Sequence, residues 1–112
     1  MVVDQGLDEV FHALSDATRR DILWRCSRDE LSVSGLASTY AMSFAAVQKH
    51  VAVLHRAGLV RKERHGREQR VTTALGPVRE AQRLLDELET AWRGRVDRMA
   101  AVLAGDTGPT QR

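Results

Sequence analysis

At 112 residues, with 43% hydrophobic and 29% charged residues, the chain has the composition of one ordinary globular domain, not of a disordered or membrane-embedded protein. No run of about 18 apolar residues occurs, and residues 1 to 20 hold no apolar run flanked by basic residues, so a cytoplasmic protein with no membrane partner is expected. The net charge of +2 is uneven: residues 1 to 30 carry seven Asp/Glu and four Lys/Arg, residues 31 to 75 two and seven, and residues 76 to 112 six of each. A basic middle is the footprint of a surface that meets a polyanion, weighed against the commoner solvated face.

Residues 1 to 6 show no periodic pattern and are expected to form a flexible arm. Leu7, Val10, Phe11 and Leu14 recur at i, i+3, i+4 and i+7, which predicts a short amphipathic first helix. Asp16 offers an N-cap for a second helix running to about Arg28, with Ile22, Leu23 and Cys26 toward a core and Trp24 to one side. Thr18, Arg19 and Arg20 in its first turns are expected to pair locally, with Asp16, Asp21 or a neighbouring helix, rather than with bases. The lone Cys26 can make neither an internal disulfide nor a multi-cysteine zinc site, and a small buried thiol is its expected role.

Ser32 can cap a third helix, Val33 to about Thr39, with Leu36 and Ala37 facing inward. After Tyr40-Ala41-Met42 comes the best-marked stretch, Ser43 to Gly58. Val47, Val51 and Leu54 fall at helical spacing, while Ala45, Gln48, Lys49, Ala52 and Arg56 share the other side. Ser43 suits an N-cap and Gly58 suits the C′ position. Two short helices joined this tightly predict a helix-turn-helix, whose second helix lies in the DNA major groove while the first braces it. Gln48 is the strongest candidate for base readout, because its amide can pair bidentately with adenine, and Lys49 and Arg56 suit phosphates. Phe44 and Ala45 could meet thymine methyls, although Phe44 is expected to tuck against the turn, as large aromatics are usually buried.

Beyond Gly58 the pattern turns extended. Residues 59–64 and 68–73 bracket His65-Gly66-Arg67, which predicts a two-stranded wing. Lys62, Arg64, Arg67 and Arg70, with His65 at the tip, could reach phosphates or a minor groove; equally, cross-strand Glu and Arg pairs could simply solubilise the hairpin. Gly76-Pro77 breaks the chain, and Pro77 suits the first turn of a last helix. From Val78 an apolar stripe continues to about Ala104, roughly 40 Å of helix at about 1.5 Å per residue. So small a domain cannot cover it, and Leu85, Leu88, Trp92, Val96 and Met99, with Leu7 and Phe11 of the first helix, are read as a homodimer interface. Residues 105 to 112 lack an apolar anchor and are expected to be a disordered tail. The fold expected over residues 7–104 is mainly α (α+β): a winged helix-turn-helix of about five helices with a two-stranded wing and a long C-terminal dimerisation helix.

The run from Leu14-Ser15-Asp16-Ala17-Thr18-Arg19-Arg20 to Asp21-Ile22-Leu23, then Met42-Ser43, Val47-Gln48-Lys49-His50-Val51 and Leu54, then Ala57-Gly58-Leu59-Val60, closely resembles the ArsR family of bacterial winged helix repressors. The match extends over residues 7 to about 100 in order and spacing. The resemblance implies a homodimer that binds an imperfect palindrome in a promoter and blocks transcription. Matched position by position, the family's base-reading residues fall on Ser43, Phe44, Ala45, Gln48 and Lys49, with His50 beside them. Its wing contacts fall on His65 to Arg67.

Three departures bear on function. Where metal-sensing members have Cys-Val-Cys on the third helix, this chain has Ser32-Val33-Ser34, and hydroxyls do not replace thiolates for soft metals. Residues 78–104 contain no His, and His50 and His55 lie about 140° apart around their helix, too far to chelate one ion. No metal or other cofactor is therefore expected. Ala17 stands where relatives commonly carry Pro, which weakens a helix-start signal. No nucleophile-base constellation or phosphate-cradling loop points to an enzyme. The alternative function is a winged-helix module that binds proteins without specific DNA readout, against which the basic centre argues. The inducer is open among a Cys26 thiol switch, a small apolar ligand at the dimer interface, and none at all.

Overall fold

A computed structural model describes residues 5–105; the rest of the expected arm and tail, residues 1–4 and 106–112, lies outside them. Helices α1 (Gln5–Leu14), α2 (Ala17–Arg28), α3 (Val33–Tyr40), α4 (Phe44–Arg56) and α5 (Gly76–Leu103) alternate with strands β1 (Leu31–Ser32), β2 (Val60–His65) and β3 (Glu68–Thr73). Helix α1 thus begins at Gln5, inside the stretch expected to be an arm. The chain divides into two compact units between Ala81 and Gln82.

In the first unit, the chemistry at the helix ends sets their boundaries. The side chains of Asp16, Ser32 and Ser43 accept hydrogen bonds from the backbone N–H groups of Arg19, Gly35 and Ala46 at 3.0 to 3.1 Å. Each satisfies one orphan donor of a first helical turn. The C-terminus of α1 is satisfied from outside the helix. Arg19 donates through Nε to the Ala13 carbonyl at 2.8 Å and through Nη2 to the His12 carbonyl at 3.0 Å, and Arg20 Nη1 donates to the Leu14 carbonyl at 2.8 Å. The two arginines therefore pair with a neighbouring helix and tie α2 to α1.

The core is wholly apolar, with no buried polar or charged residue among those described. It gathers Val10 and Ala13 of α1, Ile22 and Cys26 of α2, Val33 and Leu36 of α3, Val47, Val51 and Leu54 of α4, and Leu59, Val60 and Val71 at the base of the wing. Helix α4 touches α1, α2, α3 and β2. Burying each of its three aliphatic side chains is worth about 1.5–3 kcal/mol, against about 0–1 kcal/mol for an exposed ion pair, so the apolar stripe sets the orientation of α4.

The expected two-stranded wing is the hairpin β2–β3, and β1 joins it to make a three-stranded antiparallel sheet in the order β1-β3-β2. The additional strand is β1, which pairs Leu31 with Val71 and Ser32 with Arg70. Two residues carry no alternation to read, and Ser32 doubles as the N-cap of α3. His65 pairs with Glu68, so the hairpin loop shrinks to Gly66-Arg67 and His65 ends β2. Gly66 has φ 64°, the positive value that the first central residue of a type II′ turn requires.

One polar cluster holds α3 to α2. The Tyr40 hydroxyl donates to the Asp21 carboxylate, Arg25 Nε donates to the same carboxylate at 2.8 Å, and the Arg25 guanidinium lies 5.5 Å from the Tyr40 ring centroid. The Tyr40 hydrogen bond, then Arg25, holds the Asp21 carboxyl below its usual value, while burial and the Asp21 hydrogen bond push the Tyr40 hydroxyl up to about 12.

In the second unit, α5 runs unbroken to Leu103, and its Leu85, Leu88, Trp92, Val96 and Met99 are between 42% and 62% exposed. Their spacing of three and four residues puts them on one stripe. No helix among the described residues is long and apolar enough to cross a membrane.

Because the folded-state carboxyl of Asp21 is depressed, its contribution to stability is present above the ordinary value of 3.8 and lost as pH falls through the folded value. Asp21→Asn is expected to lower Tm at neutral pH, with the gap from wild type shrinking as the pH drops below about 4. Thermal melts across that range check this; a gap that stays constant would show that the charge of Asp21 is immaterial.

Candidate nucleic-acid interface

Helix α4 is fixed at both ends. Ser43 caps its start, and at its finish Gly58 adopts φ 78° while the N–H groups of Gly58 and Leu59 donate to the carbonyls of His55 and Leu54, each at 3.0 Å. This is the Schellman arrangement, and it needs a residue that tolerates the left-handed region. Leu59, fully buried, then leads directly into β2. With Val47, Val51 and Leu54 at most 2% exposed, the opposite side of α4 faces outward: Ser43, Phe44, Ala45, Gln48, Lys49 and Arg56 are exposed and Ala52 is half-buried.

Two residues of this helix sit otherwise than expected. Phe44 does not tuck against the turn and is 47% exposed. The inward position there is taken by Met42, packed on the core, which leaves the first residue after the cap outside. His50 lies about 200° around the helix from Gln48 and so turns away from the readout side. It is half-buried, with Nδ1 3.9 Å from Asp16 Oδ2. The Arg19 backbone N–H, and to a lesser degree the charges of Arg19 and His50, hold the Asp16 carboxyl below its usual value. His50 thus belongs to the α2–α4 contact rather than to the outward face.

The wing divides its side chains by strand alternation. The pairs Val60–Thr73, Lys62–Val71 and Arg64–Gln69 share one face, and Arg61–Thr72, Glu63–Arg70 and His65–Glu68 share the other. The first face carries the buried Val60 and Val71 and continues toward α4. There, Lys62 and Gln69 join Ala45, Gln48, Lys49 and Ala52 around a groove of about 430 Å³ that no Asp or Glu lines. Gln69 was not singled out from the sequence; its place two residues before the core residue Val71 was the available signal.

The second face is largely paired with itself. Arg70 Nη1 lies 3.1 Å from Glu30 Oε1 and its Nε lies 3.5 Å from Glu68 Oε1, while His65 Nε2 is 3.6 Å from Glu63 Oε1. Arg70 is therefore paired, with Glu30 just before β1 and with Glu68 on its own strand, and is not a free phosphate contact; Glu30, then Glu68, pushes its guanidinium further above its usual value. Arg64 and Arg67 remain exposed at the outer end, with His65 beside them. Glu30, Glu63 and His65 bring three potential metal-ligand atoms within 4.8 Å of one another, all on exposed residues. The Glu30–Arg70 and Glu63–His65 pairs account for that cluster without an ion. The expected interface residues Leu7 and Phe11 are half-buried and packed against the core.

Comparison with known proteins places this geometry among DNA-binding regulators. A family model described as a helix-turn-helix domain matches residues 14–63. Over 58 residues the chain is 43% identical to the HTH-type transcriptional regulator KmtR of Mycobacterium tuberculosis, a match that takes in 52% of this chain and 45% of that protein, so it spans about half of the relative's length. An ArsR-like transcriptional regulator from Rhodococcus sp. RHA1 superposes with a TM-score of 0.82 at 32% identity, covering 90% of this chain and 93% of the other. A homodimeric winged helix-turn-helix DNA-binding domain of a possible ArsR-family transcriptional regulator from Mycobacterium bovis, solved by solution NMR, shares the fold with a TM-score of 0.61 at 22% identity over 84% of each chain.

Cys26 is buried within the core, and that burial pushes its thiol up to about 11. Since the thiolate is the reactive form, almost none is available near neutral pH. Iodoacetamide at pH 7.5 is expected to label the native protein far more slowly than the urea-unfolded chain. Mass spectrometry of labelling time courses checks this, and equal rates would mean that Cys26 is open to solvent.

Proposed function

This chain belongs to the ArsR family of winged helix-turn-helix transcriptional regulators, and from that premise we propose that it acts as a homodimeric repressor that reads a palindromic promoter site with α4 and holds the flanking backbone with its wing. The observation that carries this reading is the groove in which Gln48 and Lys49 of α4 meet Lys62 and Gln69 of the wing with no carboxylate among its lining residues. A phosphate backbone is the polyanion such a lining attracts.

Within that reading each side chain has its own task. Gln48 pairs with an adenine edge, and Phe44 and Ala45 lie against thymine methyls. Lys49, Arg56 and Lys62 meet phosphates, and Arg64, His65 and Arg67 reach the next stretch of backbone or the minor groove. Ser43 contributes chiefly by capping α4, which aims the first turn. The homodimer is supported by the α5 stripe, whose five large apolar side chains stay exposed among the described residues, and by the dimeric state of the Mycobacterium bovis domain. A two-fold dimer calls for a two-fold site, hence the palindrome, and occupying a promoter in this way excludes polymerase.

Gel shifts with the chain's own upstream DNA and with random DNA test the reading. Gln48→Ala is expected to weaken operator binding by about 1–3 kcal/mol while leaving random DNA nearly unaffected. Arg67→Ala is expected to weaken both alike and to reduce the salt slope by about 1. Equal losses from both variants on both DNAs would remove readout from Gln48. Failure of the unsubstituted protein to bind any DNA would point to a protein partner instead.

A further inference from the structure

Among the described residues of the first unit, the large apolar side chains left exposed are Phe44, on the DNA-facing side, and Trp24 and Leu75, at 65% and 55%. Trp24 and Leu75 line a single groove of about 370 Å³, where α2 passes the connection from β3 into α5. Leu14, Leu23 and Val78 continue its apolar wall, the exposed Arg20 lines it, and no Asp or Glu does.

We propose that this groove is an effector site for a small amphipathic anion, a monocarboxylate with an aromatic or branched apolar body and its charged end on Arg20. The wall favours an apolar occupant, because burying Trp24 and Leu75 is favourable only against apolar surface, and its uncharged polar lining is limited to Ser27 and Thr73. The volume falls within the range of small-ligand pockets, about 300–1,000 Å³, and an indole offers a flat surface on which a ring can lie.

Charge complementarity decides the other end of the ligand. Arg20 makes no ion pair among the described residues, and the one side-chain hydrogen bond it makes there, from Nη1 to the Leu14 carbonyl at 2.8 Å, anchors the guanidinium while leaving further N–H donors for a carboxylate. A second copy of the chain is a weaker match, since a concave pocket of this size takes a compact group and the flat stripe on α5 already offers a face to another subunit. The site goes beyond the DNA-binding reading, and its test needs no DNA.

The test is calorimetric titration of the full chain with phenylbutyrate and, separately, with its neutral amide. The acid is expected to bind at least about tenfold more tightly than the amide. Arg20→Gln should erase that preference but keep amide binding, Arg20→Lys should restore part of it, and Leu75→Asp should abolish binding of both. Because Arg20 also caps α1, thermal melts accompany each variant; if Arg20→Gln unfolds, the wild-type ratio and Leu75→Asp decide. No heat from the acid at about 10 mM, or equal affinity for acid and amide, would overturn the proposal. So would a change from dimer to monomer in Leu75→Asp measured by sedimentation, which would make the groove a subunit contact.

Discussion

Everything this molecule can offer to DNA depends on the burial of Val47, Val51 and Leu54 on one side of α4. These side chains pack against α1, α2, α3 and the start of the wing, so the helix has one rotation about its axis that satisfies the core. Turning it by even a quarter of a revolution would expose aliphatic surface worth several kcal/mol, about 1.5–3 for each side chain, more than any pair on its outer face could return. The outward direction of Gln48 and Lys49 is thus a consequence of packing. The Ser43 cap and the Gly58 turn then fix where the helix starts and stops, and the buried Leu59 passes that register on to the wing.

The wing is organised by the same principle at a period of two. Val60 and Val71 bind one face of the hairpin to the core, and the polar residues that continue this face, Lys62 and Gln69, are carried to the edge of α4. The other face lies outside the core and pairs most of its charges, Arg70 with Glu30 and Glu68 and His65 with Glu63, while Arg61 on the same face stays exposed. The excess positive charge of the middle third is therefore not spread evenly over the wing. It concentrates where Lys49 and Lys62 converge and at the tip near Arg64 and Arg67.

Much of this was legible in the sequence, for reasons that differ by element. The stripe of α4 and both of its end signals are local, so residues 43–58 could be read without the rest of the chain. The same holds for the N-caps Asp16 and Ser32 and for the break at Gly76-Pro77. What escaped depends on partners distant along the chain. The strand β1 exists only because β3 lies beside it, Arg70 is diverted by a Glu 40 residues earlier, and Arg19 and Arg20, expected to pair with Asp16, Asp21 or a neighbouring helix, do so by closing the last turn of α1. Phe44 was misjudged because the general burial of aromatics outweighed a local fact, namely that Met42 already filled the inward position. His50 was recoverable from helical geometry alone, being about 200° from Gln48, but its neighbourhood in the motif hid that. The Trp24–Leu75 groove joins residues 51 positions apart, and only the fold brings them together.

In the proposed mode of binding, one outward face, made by α4 and the inner face of the wing, meets DNA. Backbone amide chemical shifts followed by NMR during titration with a duplex from the chain's own promoter test it most directly. The largest changes are expected within residues 43–49 and 62–69, with the buried residues Ile22 and Leu36 nearly unmoved. Largest changes along α5 or around Trp24, with Gln48 and Lys49 unperturbed, would contradict it.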